Sequence, residues 1–287
     1  MSSKIILVNG LLPYDSGKTY LTIALAKALK NKGYNVLVYK PVAGHSAWYQ
    51  FNTVINSLKY GILVGEDVVK YKELLGLKTR FELLNPIDLL LAPLNPRSFT
   101  NISEYLTLLS SQFSQIVLLR LSDCRDNTTQ YYMVKDNIAR TIPELKPWIE
   151  RLIEKFNPKP ISVECLLNIL KSASISEILD YALNVLKREA DIVIVESFNN
   201  AAVPYFNILD NINLVLTVTP GYLFKLDVNS FKEIVKAYGL KYGDTGLSMS
   251  AIFDRIRVVY DIAIPPVSLI RELNLFIERI LTRLLKE

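Results

Sequence analysis

The stretch Lys4-Ile-Ile-Leu-Val-Asn-Gly10, continuing through Leu11-Leu-Pro-Tyr-Asp15-Ser-Gly17-Lys18-Thr19 into Tyr20-Leu-Thr-Ile-Ala-Leu-Ala-Lys-Ala-Leu29, decides how the chain is read. An apolar, β-branched run stops at a glycine. A short loop ends in Gly-Lys-Thr. Apolar positions at Leu21, Ala24, Leu25, Ala28 and Leu29 then recur with helical spacing. The pattern predicts a strand, a phosphate-binding loop and a helix. A helix start leaves backbone N–H groups without intrahelical partners and carries partial positive charge, so it attracts phosphate. Gly17 has no Cβ and lets the backbone approach phosphate oxygens closely. Lys18 brings a full charge within reach of the β- and γ-phosphates, and the Thr19 hydroxyl can enter a Mg²⁺ shell otherwise made of phosphate and water. Asp15, Ser16 and Tyr20 flank these residues and complete the nucleotide-binding candidates. The usual spacing puts a glycine at position 12. This chain has Leu12 there and Gly10 upstream, so its loop is longer than the standard form. The competing reading is a chance Gly-Lys-Thr in a surface turn; the strand before it and the helix after it argue against chance.

Outward from this unit, Asn31-Lys-Gly33 reads as a helix stop, and residues 34–39 (YNVLVY) as a second buried strand ending at Lys40-Pro41. Strand, helix and strand over this distance form a βαβ unit with parallel strands. Helices are predicted over 46–60 and 65–75. Residues 80–95, broken by Pro86 and Pro93, read as loop and short extended pieces. Residues 103–111 read as helix, 115–121 as strand, and the remainder to Phe156 as helix, with a start at Pro143. Helices at 163–172 and 176–189 precede a strand at 191–196 that ends in Glu196. Another strand at 213–219 leads through Pro220-Gly221 into a helix to about 238. Strands at 247–253 and 261–264 and a helix at 268–285 close the chain. The alternation predicts a single α/β domain, a mostly parallel, doubly wound sheet flanked by helices. Residues 98–158 form an inserted, largely helical segment of the kind that covers a site. Ligands of such sheets bind at the carboxyl ends of strands, which here carry the phosphate loop, Lys40, Glu196, Thr219 and Asp254.

Composition narrows the partners. Half of the 287 residues are hydrophobic, enough for a sizeable core. No apolar run approaches the roughly 18–20 residues of a membrane span. Met1-Ser-Ser-Lys4 leads straight into the first strand without a leader pattern, so a cytoplasmic protein without membrane partners is expected. The net charge of +5 is spread along helices with no basic block or aromatic interleaving. That favours phosphorylated small molecules over nucleic acid. Cys124, Cys165 and the single histidine, His45, make neither a disulfide framework nor a zinc site. A Cys–His catalytic pair is open on paper, buried structural thiols being the commoner case.

Taken in order, these pieces resemble the dethiobiotin synthetase family, P-loop NTPases that use ATP and Mg²⁺. Asp15-Ser-Gly-Lys-Thr19 is similar to the family's acidic-x-Gly-Lys-Thr loop, and Tyr39-Lys-Pro-Val42 to its Tyr-Lys-Pro-Val after the second strand. Glu66-Asp67 at a helix start, Asn85-Pro86, the strand from Asp191 to Glu196, and the segment from Pro265 onward follow in the family's order. The resemblance covers most of the chain outside 98–158. It implies that Lys18 binds the β/γ-phosphates, that Thr19, Asp67 and Glu196 surround Mg²⁺, and that Lys40 neutralises the phosphoryl group in transfer. The implied chemistry is activation of a carbamate made from a diamine and CO₂. More broadly, the acceptor is a small carboxylate or carbamate. Three departures stand out, two on the substrate side and one at the base. Leu11-Leu-Pro-Tyr14 replaces small residues, Ser197-Phe-Asn-Asn200 replaces a Gly-rich turn, and Asp254 stands nearest to the family's adenine-binding asparagine. Pro13 occupies the place of the second lysine of partition-type ATPases, so dimer activation through that residue is not expected, although a homodimer stays open.

Each residue also has a bland reading. Asp67 is a favourable charge in a first helical turn, Glu196 a strand-end carboxylate, Lys40 a surface lysine, and Asp123, Arg125 and Asp126 are turn residues. Two other functions stay in view: a nucleotide-dependent switch that binds a partner protein, and a polynucleotide 5′-kinase, which the charge pattern disfavours. A carboxylate at 254 suits guanine's ring N–H and amino group better than adenine, so GTP stands beside ATP. Competitive displacement of a labelled analogue decides between them: displacement by ATP equal to or better than by GTP removes the guanine reading.

Overall fold

A computed structural model describes residues 3–242 and 247–285; the Met1-Ser2 start of the leader reading lies outside them. In chain order the elements are β1 (Lys4–Gly10), α1 (Lys18–Asn31), β2 (Val36–Tyr39), β3 (Val42–Ser46), α2 (Asn52–Tyr60), α3 (Glu66–Leu75), α4 (Phe81–Leu84), β4 (Ile87–Leu91), α5 (Ile102–Ser110), β5 (Ile116–Asp123), β6 (Thr128–Val134), α6 (Lys135–Ala139) and α7 (Lys146–Phe156). There follow β7 (Lys159–Ile161), α8 (Val163–Leu170), α9 (Ala173–Glu189), β8 (Ile192–Glu196), β9 (Ile212–Thr219), β10 (Tyr222–Leu226), α10 (Val228–Tyr242), α11 (Met249–Ile252), β11 (Val258–Ala263) and α12 (Ile270–Leu285). The chain divides into two compact units: Met1–Pro41 with Tyr71–Thr79 and Leu179–Glu287, and Val42–Lys70 with Arg80–Ile178.

The first unit holds a six-stranded sheet in the order β11-β10-β9-β1-β8-β2. Strands β9, β1, β8 and β2 run parallel, as their continuous buried apolar runs predict. Ile5, Leu7 and Val8 have no exposed surface, and neither do Val193, Ile194 and Val195 of β8. The first helix is buried nearly all round: besides the predicted apolar face, Thr22, Ile23 and Ala26 are buried. The cause is α12, which packs on α1 and hides Leu273, Ile277, Leu281 and Leu284. Asn31 of α1 donates to Glu278 of α12 at 2.6 Å.

The α/β class therefore holds, and the single mostly parallel sheet does not. A second, five-stranded sheet, β3-β4-β5-β6-β7, lies in the second unit and mixes parallel with antiparallel pairs. Pro41, which cannot donate to a ladder, separates β2 from β3 and lets consecutive strands enter different sheets. The 98–158 segment contributes β5 and β6, where helix was expected after residue 121. The β-branched and aromatic run Thr-Thr-Gln-Tyr-Tyr-Met-Val makes β6. It is reached by a turn in which Asn127 has positive φ and Asp126 accepts from the Thr128 N–H.

Two further expectations change. Pro220-Gly221 is a hairpin turn into antiparallel β10, and α10 begins only after Asp227, whose carboxylate caps the Ser230 N–H at 2.8 Å. That bond holds the Asp227 carboxyl below the usual carboxylate range, with Arg257 adding to it. Residues 247–253 form no strand. Met249 and Ile252, three apart and fully buried, are the inward face of short α11.

The second unit's core gathers Val54, Leu63, Leu90, Val117, Leu118, Ile149 and Leu152, with Phe51 edge-on to Trp148. Inside this unit Arg120 of β5 is wholly buried. It donates to the Leu63 carbonyl at 2.8 Å, to Ser122 Oγ at 2.7 Å, and to the Asn85 carbonyl and Oδ1 at 2.6 and 2.7 Å. Burial pushes its guanidinium pKa down, and the nearby Asp88 carboxylate opposes this. The planar fork satisfies acceptors on three chain segments at once, a geometry no ammonium reproduces. Arg120→Met removes all four of these bonds from a buried site, at about 1–3 kcal/mol for each acceptor that is then left without a donor. The variant is expected to lose at least about 3 kcal/mol of stability, read as a lowered urea midpoint.

Candidate functional site

Strand β1 ends at Gly10 in the middle of the parallel strands, and the loop from Leu11 to Ser16 carries the chain to α1. Leu11 stays tied to the sheet by donating to the Val218 carbonyl at 3.2 Å. Ser16 is buried and closes the loop on itself. Its hydroxyl accepts from the Leu12 N–H at 3.1 Å and donates to the Leu12 carbonyl at 2.8 Å. A Cβ on Gly10 would fall 2.6 Å from Ser16 Oγ, so the extra loop residues fold back over a position where only glycine fits. Gly17 is the N-cap of α1 with φ 89°, and no side chain caps the helix there. A Cβ on Gly17 would sit 2.8 Å from Val267 Cγ1, placing the segment after β11 against the turn. The loop tip turns outward: Asp15 is exposed with φ 54°, and Leu12 and Tyr14 are 41% and 64% exposed.

Sheet register sets the polar centre. Val8 of β1 pairs with Glu196 of β8, and Tyr39 of β2 pairs with Val195, so Lys40 follows directly beside Glu196. Glu196 is completely buried and Lys40 nearly so; their ion pair is 2.7 Å, from Lys40 Nζ to Oε1. The Thr19 hydroxyl, in the first turn of α1, donates to the same oxygen at 3.1 Å. The other carboxylate oxygen accepts from the hydroxyl of Tyr71, a buried residue of α3. A buried carboxylate is tolerated only when paired and hydrogen-bonded, and here one cation and two hydroxyls meet that need. Deeper in the sheet, Thr217 donates to Asn9 Oδ1 at 2.6 Å, and Asn9 donates to the Ala202 carbonyl at 2.9 Å. Ser197 donates to the Ala201 carbonyl at 2.7 Å and anchors the turn after Glu196.

The structure thus brings Thr19, Lys40 and Glu196 together, with Ser16, Gly17, Lys18 and Tyr20 on the adjoining loop and helix start. Asp67 lies in the first turn of α3, within the second unit. Asp254 does not end a strand. It is exposed on a single 3₁₀ turn that precedes β11, so the strand-end placement behind its base-reading role is lost. Sequence reasoning missed Tyr71, one apolar-looking position among many on a helix, and Val267. The helical spacing of Tyr71 from Asp67, four residues on, was the available signal.

His45 forms no pair with a cysteine. Its ring nitrogens contact Thr53 Oγ1 and Asp88 Oδ1, both at 2.7 Å, and Asp88 Oδ2 accepts from the Gly65 N–H at 3.1 Å. This buried triplet ties β3, β4 and α2 together inside the second unit. Cys124 is buried, which pushes its thiol pKa up, and Cys165 is exposed. Arg125 bonds Asp123 and Glu177, and its hydrogen bonds hold the Asp123 carboxyl below the usual range. These are exposed contacts within the second unit.

Among the described residues no group of three or more His, Cys, Asp or Glu side chains gathers, and no helix is long and apolar enough to cross a membrane. Comparison with protein-family models and with curated proteins finds no match to this chain. The left-handed turn at Gly17 gives a direct check on the loop. Gly17→Ala should lower stability by about 1–3 kcal/mol through φ strain and the Val267 contact, read as a fall in the thermal midpoint.

Proposed function

We propose that the first unit binds a nucleoside triphosphate with Mg²⁺ and transfers its γ-phosphoryl group to a small carboxylate or carbamate, as a P-loop enzyme resembling dethiobiotin synthetase. The observation that carries this reading is the shared buried carboxylate: Thr19, the last residue of Gly-Lys-Thr, and Lys40, from the next strand end, both bond Glu196. A hydroxyl and a carboxylate beside an anion-attracting helix start are the few protein oxygens that Mg²⁺ needs, since that ion keeps several waters and takes the rest of its shell from phosphate.

Each residue then has a physical task. The backbone at Gly17 and the start of α1 binds phosphate oxygens, which its dipole favours. Lys18 carries positive charge toward the β- and γ-phosphates. Thr19 and Glu196 would hold the cation, which supplies charge neutralisation on the phosphates. Lys40, fixed by Glu196, offers a second positive charge where negative charge redistributes as the acceptor oxygen bonds to phosphorus and the bridging oxygen leaves. ATP is the nucleotide proposed, with GTP as the alternative that the displacement experiment tests.

A second reading, a nucleotide-dependent switch that binds a partner protein, is favoured by one observation. The loop tip exposes the large apolar side chains of Leu12 and Tyr14. Hydrolysis strongly stimulated by a diamine with bicarbonate supports the transferase, whereas slow hydrolysis indifferent to acceptors supports the switch.

Two substitutions test the site itself. Lys18→Ala should weaken binding of a fluorescent ATP analogue by about 10- to 100-fold, the loss of a charge-assisted bond of ~1.5–3 kcal/mol; unchanged affinity overturns the proposal. Lys40→Gln, which keeps a donor toward Glu196, should leave affinity within about threefold and lower turnover by roughly 10²–10³.

A further inference from the structure

Resting on the nucleotide-site reading, we infer that Tyr71 is a positioning residue that sets the orientation of Glu196 for metal binding. Glu196 leaves β8 fully buried, and its two oxygens are unequally engaged. Oε1 takes both the Lys40 ammonium, at 2.7 Å, and the Thr19 hydroxyl, at 3.1 Å. Oε2 takes the Tyr71 hydroxyl. A carboxylate offers about four acceptor directions, so protein donors take three of them. Lys40 and Thr19 both pull on one oxygen and alone leave the carboxylate plane able to rotate about the Cγ–Cδ bond, whose torsion is soft. The Tyr71 bond on the opposite oxygen stops that rotation. The direction left for a metal-bound water is thereby fixed as well.

The position of Tyr71 supports a polar role over simple packing. Its ring is wholly buried, and a buried tyrosine hydroxyl must find a partner. It donates to the Glu196 carboxylate, whereas Tyr39 donates to the Leu179 carbonyl at 2.9 Å. A phenylalanine would fill the same space. What the hydroxyl adds is directional control of a carboxylate, the second layer of contacts that commonly changes metal affinity or activity by about 10–100-fold when removed.

The experiment is a Mg²⁺ titration of the full chain, read both as Mg²⁺-dependent binding of a fluorescent non-hydrolysable ATP analogue and as ATP hydrolysis, comparing wild type with Tyr71→Phe, Tyr39→Phe and Glu196→Gln. Tyr71→Phe is expected to raise the Mg²⁺ midpoint about tenfold and to lower kcat, while KM for ATP at saturating Mg²⁺ changes less than about twofold. Tyr39→Phe, which also loses a buried hydroxyl bond, should keep the wild-type midpoint whatever its stability. Adding Tyr71→Phe to Glu196→Gln should produce no further shift in the Mg²⁺ midpoint, because the proposed effect of Tyr71 on the metal runs through that carboxylate. A wild-type midpoint in Tyr71→Phe, an equal shift in Tyr39→Phe, or full additivity with Glu196→Gln overturns the assignment. So does failure of Tyr71→Phe to fold, because that would make the hydroxyl a stability element. These outcomes are separate from the site reading, which falls if Lys18→Ala binds the ATP analogue like wild type.

Discussion

The buried carboxylate of Glu196 is the constraint to which the rest of the first unit conforms. A charge without water is costly unless its lone pairs are met by donors, and a cation among them offsets most of that cost. Four separate segments provide this: the start of α1, the end of β2, the middle of α3 and the end of β8. Each of the first three gives one bond to the carboxylate that the fourth carries. The order β1-β8-β2 follows from the same requirement, because only with β8 between them do the loop after β1 and the lysine after β2 reach one group.

The loop from Gly10 to Gly17 meets a different requirement, that of closing a longer excursion without losing its shape. Ser16 replaces the missing tight spacing with two hydrogen bonds to the backbone of Leu12, and it can lie there only because Gly10 has no Cβ. The loop turns its polar backbone inward and its bulky residues outward.

The second unit buries polar side chains for another purpose. Arg120 fastens β5 to the Asn85 turn and the Leu63 carbonyl, and His45 joins Thr53 to Asp88. Each of these groups is engaged by protein. They are internal braces of a mixed sheet whose strands come from distant parts of the sequence. The contrast with Glu196 is instructive: there the buried charge lies at the carboxyl end of parallel strands, beside a helix start that attracts anions.

The sequence by itself determined the strand–loop–helix start, the four buried parallel strands and the residues that stand at their ends. Continuous β-branched runs, glycine stops and helical spacing are local signals, strong over a few residues. It also marked Thr19, Lys40 and Glu196 as candidates through their places after strands. Only the tertiary structure decided that there are two sheets, that β10 and β6 return antiparallel, and that Asp254 precedes a strand instead of ending one. Those outcomes depend on partners far along the chain: Pro-Gly reads alike before a helix and within a hairpin, and Met249 and Ile252 suit strand or helix until something covers them. Tyr71 was hidden for the same reason. Its hydroxyl gains meaning only from a carboxylate that follows much later in the chain, brought to it by the fold.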